Sequence, residues 1–126
     1  MTGAPTHPFH LSLAQEEVAY EYGQRLMVRL IAHQGVTATI SRSRQGPPEV
    51  SVGAQFMLGE DLIGLRMHVW PRHGDSALSW YRDRLLKQRR YFQYVRPLTE
   101  LDLLAADLAR TLRRRAAALG PTGIGS

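Results

Sequence analysis

Apolar and charged side chains recur at helical spacing near the start of the chain. Ser12 and Gln15 have the spacing of a capping box. From Leu13 to His33 the apolar residues share one broad face, and the charged residues share the other. Gly35 then supplies a natural helix end. The pattern predicts a helix over residues 13–33, with an apolar face wide enough to cover a sheet or to contact a second copy of the chain.

After this helix the apolar residues recur at every second position instead of about every 3.6 residues. Residues 36–42, 49–56 and 62–70 each alternate apolar with polar side chains, which is typical of half-buried strands. The segments between them, 43–48 and 58–61, are short and contain glycine. Because short connections join antiparallel neighbours, we expect a three-stranded antiparallel meander with one apolar face.

Two further helices are expected after the strands. Asp75 or Ser76 can cap the first helix, and Pro97 ends it. Its narrow apolar stripe comprises Leu78, Tyr81, Leu85 and Phe92. Thr99 can cap the second helix, whose apolar residues share a narrow arc as far as a stop at Gly120.

These elements predict a single α+β domain over residues 12–120. Their order is α-β-β-β-α-α, with a three-stranded antiparallel sheet covered on one face by helices. Residues 1–11 contain two prolines and no periodic pattern, and they predict a mobile N-terminal arm. Residues 121–126, PTGIGS, predict a flexible tail.

The composition is that of a globular chain. Of the 126 residues, 44% are hydrophobic and 21% are charged, and no apolar run approaches the ~20 residues that a membrane span needs. There is no cysteine, and the N-terminal stretch lacks the basic and apolar regions of a secretory signal. We therefore expect a cytoplasmic protein without disulfides, thiol chemistry or membrane attachment.

The charge is unevenly distributed along the chain. There are 16 basic and 11 acidic residues, a net charge of +5, and all but one of the basic residues are arginine. Residues 75–96 alone carry six basic and two acidic side chains. Such a surface favours polyanions, and arginine binds phosphate in a bidentate manner. A GC-rich genome would give the same arginine bias without any function.

The strongest candidate for a binding site is the segment YRDRLLKQRRYFQYVRP, residues 81–97. Its cations, with two neighbouring aromatic rings, suit phosphates and unpaired bases. The candidate phosphate ligands are Arg82, Arg84, Lys87, Arg89 and Arg90, and the candidate stacking residues are Tyr91 and Tyr94. The competing interpretation is a solvated helix surface, in which the cations only confer solubility.

Two other basic clusters add to this surface if they lie near it. Arg42 and Arg44 flank the tip of the first predicted hairpin, where they are suited to touching phosphates. Arg113, Arg114 and Arg115 lie near the end of the last predicted helix. Cations at a helix C-terminus also complement the helix dipole without any ligand, so this second cluster has a structural explanation as well.

Catalytic chemistry has the least support in the sequence. His68 and His73 with Asp75 are too few and too dispersed for a metal site, and no nucleophile or phosphate-loop motif occurs. Glu16 lies on the apolar face of the first helix, so it is either a buried proton-transfer group or, as we expect, a wet first-turn acid that favours the helix dipole. We predict no catalytic residue, no metal and no cofactor.

Two functions fit this sequence. The first is a small non-enzymatic nucleic-acid-binding protein that grips phosphates of DNA or RNA through an arginine-rich helical surface. The alternative is a protein-interaction module, such as an adaptor, an immunity-type inhibitor or a small chaperone, that docks an acidic protein partner. A homodimer is compatible with both functions.

Overall fold

The computed structural model describes residues 10–125, apart from the side chains of Leu58, Asp61 and residues 120–125. Along the chain, one helix precedes and one helix follows the five strands. The strands form one antiparallel sheet in which their spatial order is the order of the sequence. The elements are α1 (Leu13–Ile31), β1 (Val36–Ser43), β2 (Glu49–Leu58), β3 (Asp61–Pro71), β4 (Leu78–Leu86), β5 (Arg89–Pro97) and α2 (Leu101–Gly125). The predicted α+β class is confirmed, whereas the predicted three-stranded sheet with three helices is wrong.

The error lies in residues 76–97, which form the β4–β5 hairpin rather than a helix. Lys87 and Gln88 connect the strands with φ angles of 52° and 66°, which is the pattern of a type I′ turn. The aromatic residues of this segment favour strands. The supposed helical stripe does not share a face in the hairpin, because Tyr81 and Phe92 lie on the opposite side of the sheet from Leu78.

The first half of the chain folds as the periodicity predicts. The backbone N–H of Gln15 donates to Ser12 Oγ at 3.1 Å, and that of Ser12 donates to Gln15 Oε1 at 2.8 Å, so the capping box is confirmed. Leu11, within the predicted mobile arm, is fully buried, and residues 1–9 of that arm lie outside the described residues. The last helix runs through Gly120, the predicted stop, as far as Gly125.

Both helices cover one face of the sheet, here called the inner face. Helix α1 packs on β1 and β2, and α2 packs on β2 and β3. Trp80 anchors the start of β4 to this core, because it is fully buried and its Nε1 donates to the carbonyl oxygen of Leu98 at 3.0 Å. Within the described part of the chain, neither helix is long and apolar enough to cross a membrane.

The sheet forks between β3 and β4. Their pairing ends at Met67 and Arg82, whereas β4 continues to pair with β5 as far as Leu86 and Arg89. A register shift between Trp80 and Tyr81 marks an irregularity just before the divergence, and such irregularities increase local twist. The end of the β4–β5 hairpin therefore projects as an arm beside β3.

The turn at the tip of this arm gives a test of the hairpin. We expect Gln88→Gly to stabilise the protein by about 1 kcal/mol, because glycine removes the cost of a left-handed backbone in a side-chain-bearing residue. Urea unfolding measures the change, and Gln88→Ala, which keeps that cost, is the matched control. A destabilisation of about 1 kcal/mol by the glycine would indicate a helix interior instead.

Candidate nucleic-acid interface

The fork borders a cleft whose lining includes residues of both faces of the sheet. The cleft has a volume of about 370 Å³ and is here called the fork cleft. It is lined by Gly64, Leu65, Arg66, Arg82, Asp83, Arg84, Leu85 and Arg115. Because side chains alternate along a strand, Arg66 and Asp83 belong to the outer face, whereas Arg82 and Arg84 belong to the inner face. Arg115 reaches the cleft from α2.

Positive charge in the fork cleft is not balanced by nearby carboxylates. Within the described residues, none of its four arginines forms an ion pair; Arg66 donates to Ser51 Oγ at 3.2 Å and Arg84 to Gln93 Oε1 at 3.3 Å. Asp83, the one acid in the lining, accepts two bonds from Arg90 Nε at 2.9 and 3.0 Å and one from Nη2 at 2.7 Å. The cleft therefore holds surplus charge.

The pKa of Arg82 reflects this crowding. It is lowered from its ordinary value, first because the guanidinium is partly desolvated and then because Arg115 and Arg84 repel it. Desolvation and like charges both disfavour the protonated form of a base. Clustered like charges in a cleft are a recognised mark of a functional site, and an anion bound there would relieve the repulsion.

A second hollow extends the site along the inner face towards α2. It has a volume of about 340 Å³, includes Arg82, Arg84 and Gln93 of the hairpin with Thr111 of α2, and is here called the inner groove. Tyr91 lies directly opposite Arg84 in the hairpin and is 41% exposed. An exposed aromatic ring beside guanidinium groups is suited to stacking on a base.

Tyr94, the other predicted stacking residue, lies on the outer face. Its ring packs edge-to-face against Tyr81 at 5.8 Å, with the guanidinium of Arg72 5.7 Å from its centroid. Tyr91 and Tyr94 therefore do not form one stacking platform. Only Tyr91 faces the same side of the hairpin as the inner arginines of the fork cleft.

Arg42 and Arg44 do not join the cleft but hold β1 against α1. Arg44 Nε donates to both carboxylate oxygens of Glu16 at 2.9 and 3.0 Å, and Arg42 Nη2 donates to the same carboxylate at 3.2 Å. Both arginines also pair with Glu17. Their charge is thus neutralised within the fold, so the prediction of a basic hairpin tip that reaches outward is not supported by this geometry.

Glu16 is fully buried, contrary to our expectation of a wet first-turn acid. The hydrogen bond from Arg44 lowers the pKa of Glu16 more than burial raises it, and Arg42 lowers it further. A carboxylate held ionised by two guanidiniums is a structural ion pair and not a group poised to exchange protons.

The other predicted cations divide between the arm and α2. Lys87 and Arg89 are exposed at the tip of the arm, and Arg90 is bound to Asp83. Arg115 lies in the fork cleft, whereas Arg113 donates to the carbonyl oxygen of Gln34 at 3.3 Å and Arg114 is exposed. Successive helical residues point about 100° apart, which separates these three arginines.

Arg66 is the functional candidate that sequence reasoning missed. Arg66 is the only arginine in β3, so no local cluster of charge marks it. Only the register of the sheet brings it to the fork. The outward alternation of Arg66, His68 and Trp70 was visible in the sequence, but nothing in the sequence showed that β4 would diverge beside it.

The outer face carries a further hollow of about 250 Å³, here called the outer pocket. It is lined by Ser41, Ser43, Glu49, Ser51, Arg66, His68 and Arg90. His68 is 3% exposed and packs against Trp70 and Phe92 at ring-centroid distances of 5.8 and 4.9 Å. Among the described residues neither ring nitrogen of His68 has a hydrogen-bond partner.

Burial lowers the pKa of His68 to about 4. The nearby charge of Asp83 opposes this shift, whereas Arg90 and Arg66 add to it. The closest carboxylate oxygens lie 3.5 Å from Nε2, on Asp83, and 3.8 Å from Nδ1, on Glu49. The imidazole is therefore neutral at about pH 7, with one nitrogen as a donor and the other as an acceptor.

Comparison of the chain with protein-family models, with curated proteins and with solved structures finds no match. Its function is therefore inferred from its own geometry and charge. The structure brings Arg82, Arg84 and Arg115 of the predicted site together and adds Arg66. The predicted homodimer and the predicted absence of catalytic, metal and cofactor sites stay predictions.

The buried Glu16 cluster gives a stability prediction with a defined pH dependence. We expect Glu16→Gln to lower the Tm at about pH 7, because Arg42 and Arg44 would lose their shared carboxylate. Since the folded pKa of Glu16 is lowered, its contribution is present above the ordinary value of about 4.3 and is lost as the pH falls through the folded value. The Tm difference should therefore shrink in acid. Glu17→Gln, an exposed partner of the same arginines, should change the Tm little.

His68 gives a second prediction, in which the pKa is lowered by burial and not by an ion pair. Because its folded pKa lies below the unfolded one, stability is fully present above about pH 6.5 and falls as the pH drops towards 4, by up to about 3 kcal/mol. Denaturant unfolding at several pH values should show a flatter profile for His68→Phe. Phe92→Leu, which disturbs the same aromatic cluster, should keep the wild-type slope. If the unfolding free energies of wild type and His68→Phe depended on pH in the same way, the lowered pKa of His68 and its neutral imidazole would be contradicted.

Proposed function

We propose that this protein is a small non-enzymatic nucleic-acid-binding protein whose fork cleft holds backbone phosphates. The observation that carries the proposal is the set of four arginines, from three different elements, around one cleft without carboxylate partners among the described residues. The proposed phosphate-binding site is then the fork cleft and not a helical surface.

The energetics of the cleft favour an anion over an empty site. Mutual repulsion and partial desolvation disfavour the charged form of Arg82, and a phosphate placed among the guanidiniums would replace repulsion by attraction. The planar guanidinium group of arginine matches the geometry of phosphate oxygens. Its charge-assisted hydrogen bonds to them are about twice as strong as neutral ones. Lys87 and Arg89 at the tip of the arm extend the positive surface.

The inner groove supports single strands as the class of nucleic acid. Tyr91 lies opposite Arg84 on the inner side of the arm and is exposed, so that an unpaired base can reach its ring. Bases of single strands are free to stack in this way. Gln93, beside Arg84, offers an amide for contacts to a base edge. Arginines in a cleft hold a backbone more readily than they read a sequence, so weak sequence preference is expected.

Cytoplasmic location and a homodimer belong to the same proposal. Leu13, Val18, Val28 and Ile31 of α1 remain exposed after the helix has packed on the sheet, and they are available for contact with a second copy. An acidic protein is the competing occupant of the fork cleft, because carboxylates also pair with arginine. The two occupants differ in their need for Tyr91, since an acidic chain offers no base to stack.

The test is a fluorescence-anisotropy titration with labelled single- and double-stranded oligonucleotides at about 50 mM and about 200 mM salt. We expect tighter binding of the single strand and a steep loss of affinity with salt. Arg84→Gln, Arg82→Gln and Arg115→Gln should each weaken binding and reduce the magnitude of the salt slope by about 0.7, because each removes one phosphate contact. Tyr91→Ala should weaken single-strand binding alone.

Arg25→Gln is the matched control for these variants. It removes the same charge from an exposed position where Arg25 pairs with Glu21 at 3.4 Å, and it should leave the affinity nearly unchanged. Equal losses for Arg25→Gln and Arg84→Gln would show that only net charge matters and would contradict the fork cleft. Tighter binding of polyglutamate than of either oligonucleotide would assign the cleft to an acidic protein partner.

A further inference from the structure

The outer pocket is built as a polar site, although it lies on the open face of the sheet. The register places Ser41, Ser51 and His68 side by side on three adjacent strands, where neighbouring side chains are about 5 Å apart. His68 lines the pocket and is more than nine-tenths buried. Carboxylate oxygens of Asp83 and Glu49 lie 3.5 and 3.8 Å from its ring nitrogens, but in the described part of the chain neither nitrogen has a partner with hydrogen-bond geometry. Buried polar atoms of this kind normally have partners.

Arg66 joins the outer pocket to the fork cleft, since it lines both. The lining of the fork cleft includes Arg82 and Arg84 from the inner face and Arg66 from the outer face. A strand whose backbone contacts Arg66 in the cleft would therefore have the outer pocket beside it. Arg66 is the residue that the two linings share.

We propose that the outer pocket binds the terminal phosphate of a nucleic-acid strand whose adjoining phosphates lie in the fork cleft. This inference rests on the proposed function and adds the class of substrate, namely strands with a phosphorylated end. The donors are the guanidinium of Arg66, the hydroxyl groups of Ser41, Ser43 and Ser51, and one ring N–H of His68.

A terminal phosphate suits this pocket better than an internal one. A phosphate monoester carries about −1.5 to −2 charge at neutral pH and three strong acceptor oxygens, whereas an internal phosphodiester carries one charge. Several donors from adjacent strands that converge on one small hollow match the larger number of acceptors. A neutral imidazole donates one hydrogen bond without requiring a prior change of protonation.

The acidic groups near the pocket contribute little net negative charge that would repel a bound phosphate. Asp83 is bound to Arg90 by three hydrogen bonds, so these two largely cancel. Glu49 is the remaining acid, and its side chain is 48% exposed, which allows it to turn towards solvent. Arg66 is left as the uncompensated charge. Glu49→Gln should consequently strengthen the preference for a phosphorylated end.

The test compares single-stranded oligonucleotides of one sequence with a 5′-hydroxyl, a 5′-phosphate or a 3′-phosphate end. We expect one phosphorylated form to bind about tenfold more tightly than the unphosphorylated strand, as for a charge-assisted contact, and the preferred end gives the direction of the strand. Ser51→Ala and His68→Phe should remove this preference while the unphosphorylated strand still binds. Ser41→Ala, at an exposed position with little risk to folding, should reduce it as well.

The outcomes separate this inference from the proposed function. Equal affinities for all three ends, with salt-dependent binding intact, would overturn the terminal-phosphate site and leave the fork cleft in place. Failure of every oligonucleotide to bind would overturn the proposed function, and the terminal-phosphate site with it. Arg84→Gln should weaken all three strands by the same factor. Loss of the end preference in Arg84→Gln would also count against a separate outer pocket.

Competition by inorganic phosphate distinguishes a strand end from a free phosphate. If millimolar phosphate binds as tightly as the phosphorylated strand, the strand contributes nothing and the inference fails.

Discussion

The end of β3–β4 pairing at Met67 and Arg82 is the constraint on which the rest of the molecule depends. Trp80 fixes the first part of β4 because it is buried in the core and bonded to Leu98. Beyond Arg82, β4 pairs with β5 alone. The hairpin can then turn away from β3, and the space that it leaves becomes the fork cleft.

The arginines divide into two sets according to their distance from this fork. Away from it, arginines pair with acids across element boundaries: Arg29 with Asp102 joins the two helices, Arg96 with Asp107 joins β5 to α2, and Arg42 with Glu16 joins β1 to α1. The exposed pairs add little stability individually, but they use up much of the acidic charge. Of the described arginines without an ion pair, Arg66, Arg82, Arg84 and Arg115 line the fork cleft. The others are Arg89 on the arm and Arg113 and Arg114 on α2.

Sequence periodicity predicted α1 and β1–β3 because the apolar residues of each recur at the spacing that places them on the inner face. It failed at β4 and β5, since the arm lies beyond the covering helices and its inner positions hold Arg82, Arg84 and Gln93 instead of apolar residues. Without alternation, the spacing of Leu78, Tyr81 and Leu85 resembled a helix. The concentration of charge around residues 82–84 was visible in the sequence. The position of Arg66 beside them was not, because it depends on a strand register and on a divergence that no local pattern encodes.

A continuous sheet keeps its two faces apart, because adjacent residues of a strand point to opposite sides. Arg66 and Arg82 would then be unable to share a ligand, whatever the charge of each face. A break in pairing removes this barrier at one place and brings side chains of both faces to the same cavity. At the fork, arginines of both faces therefore line one cavity, which shares Arg82 and Arg84 with the inner groove and Arg66 with the outer pocket.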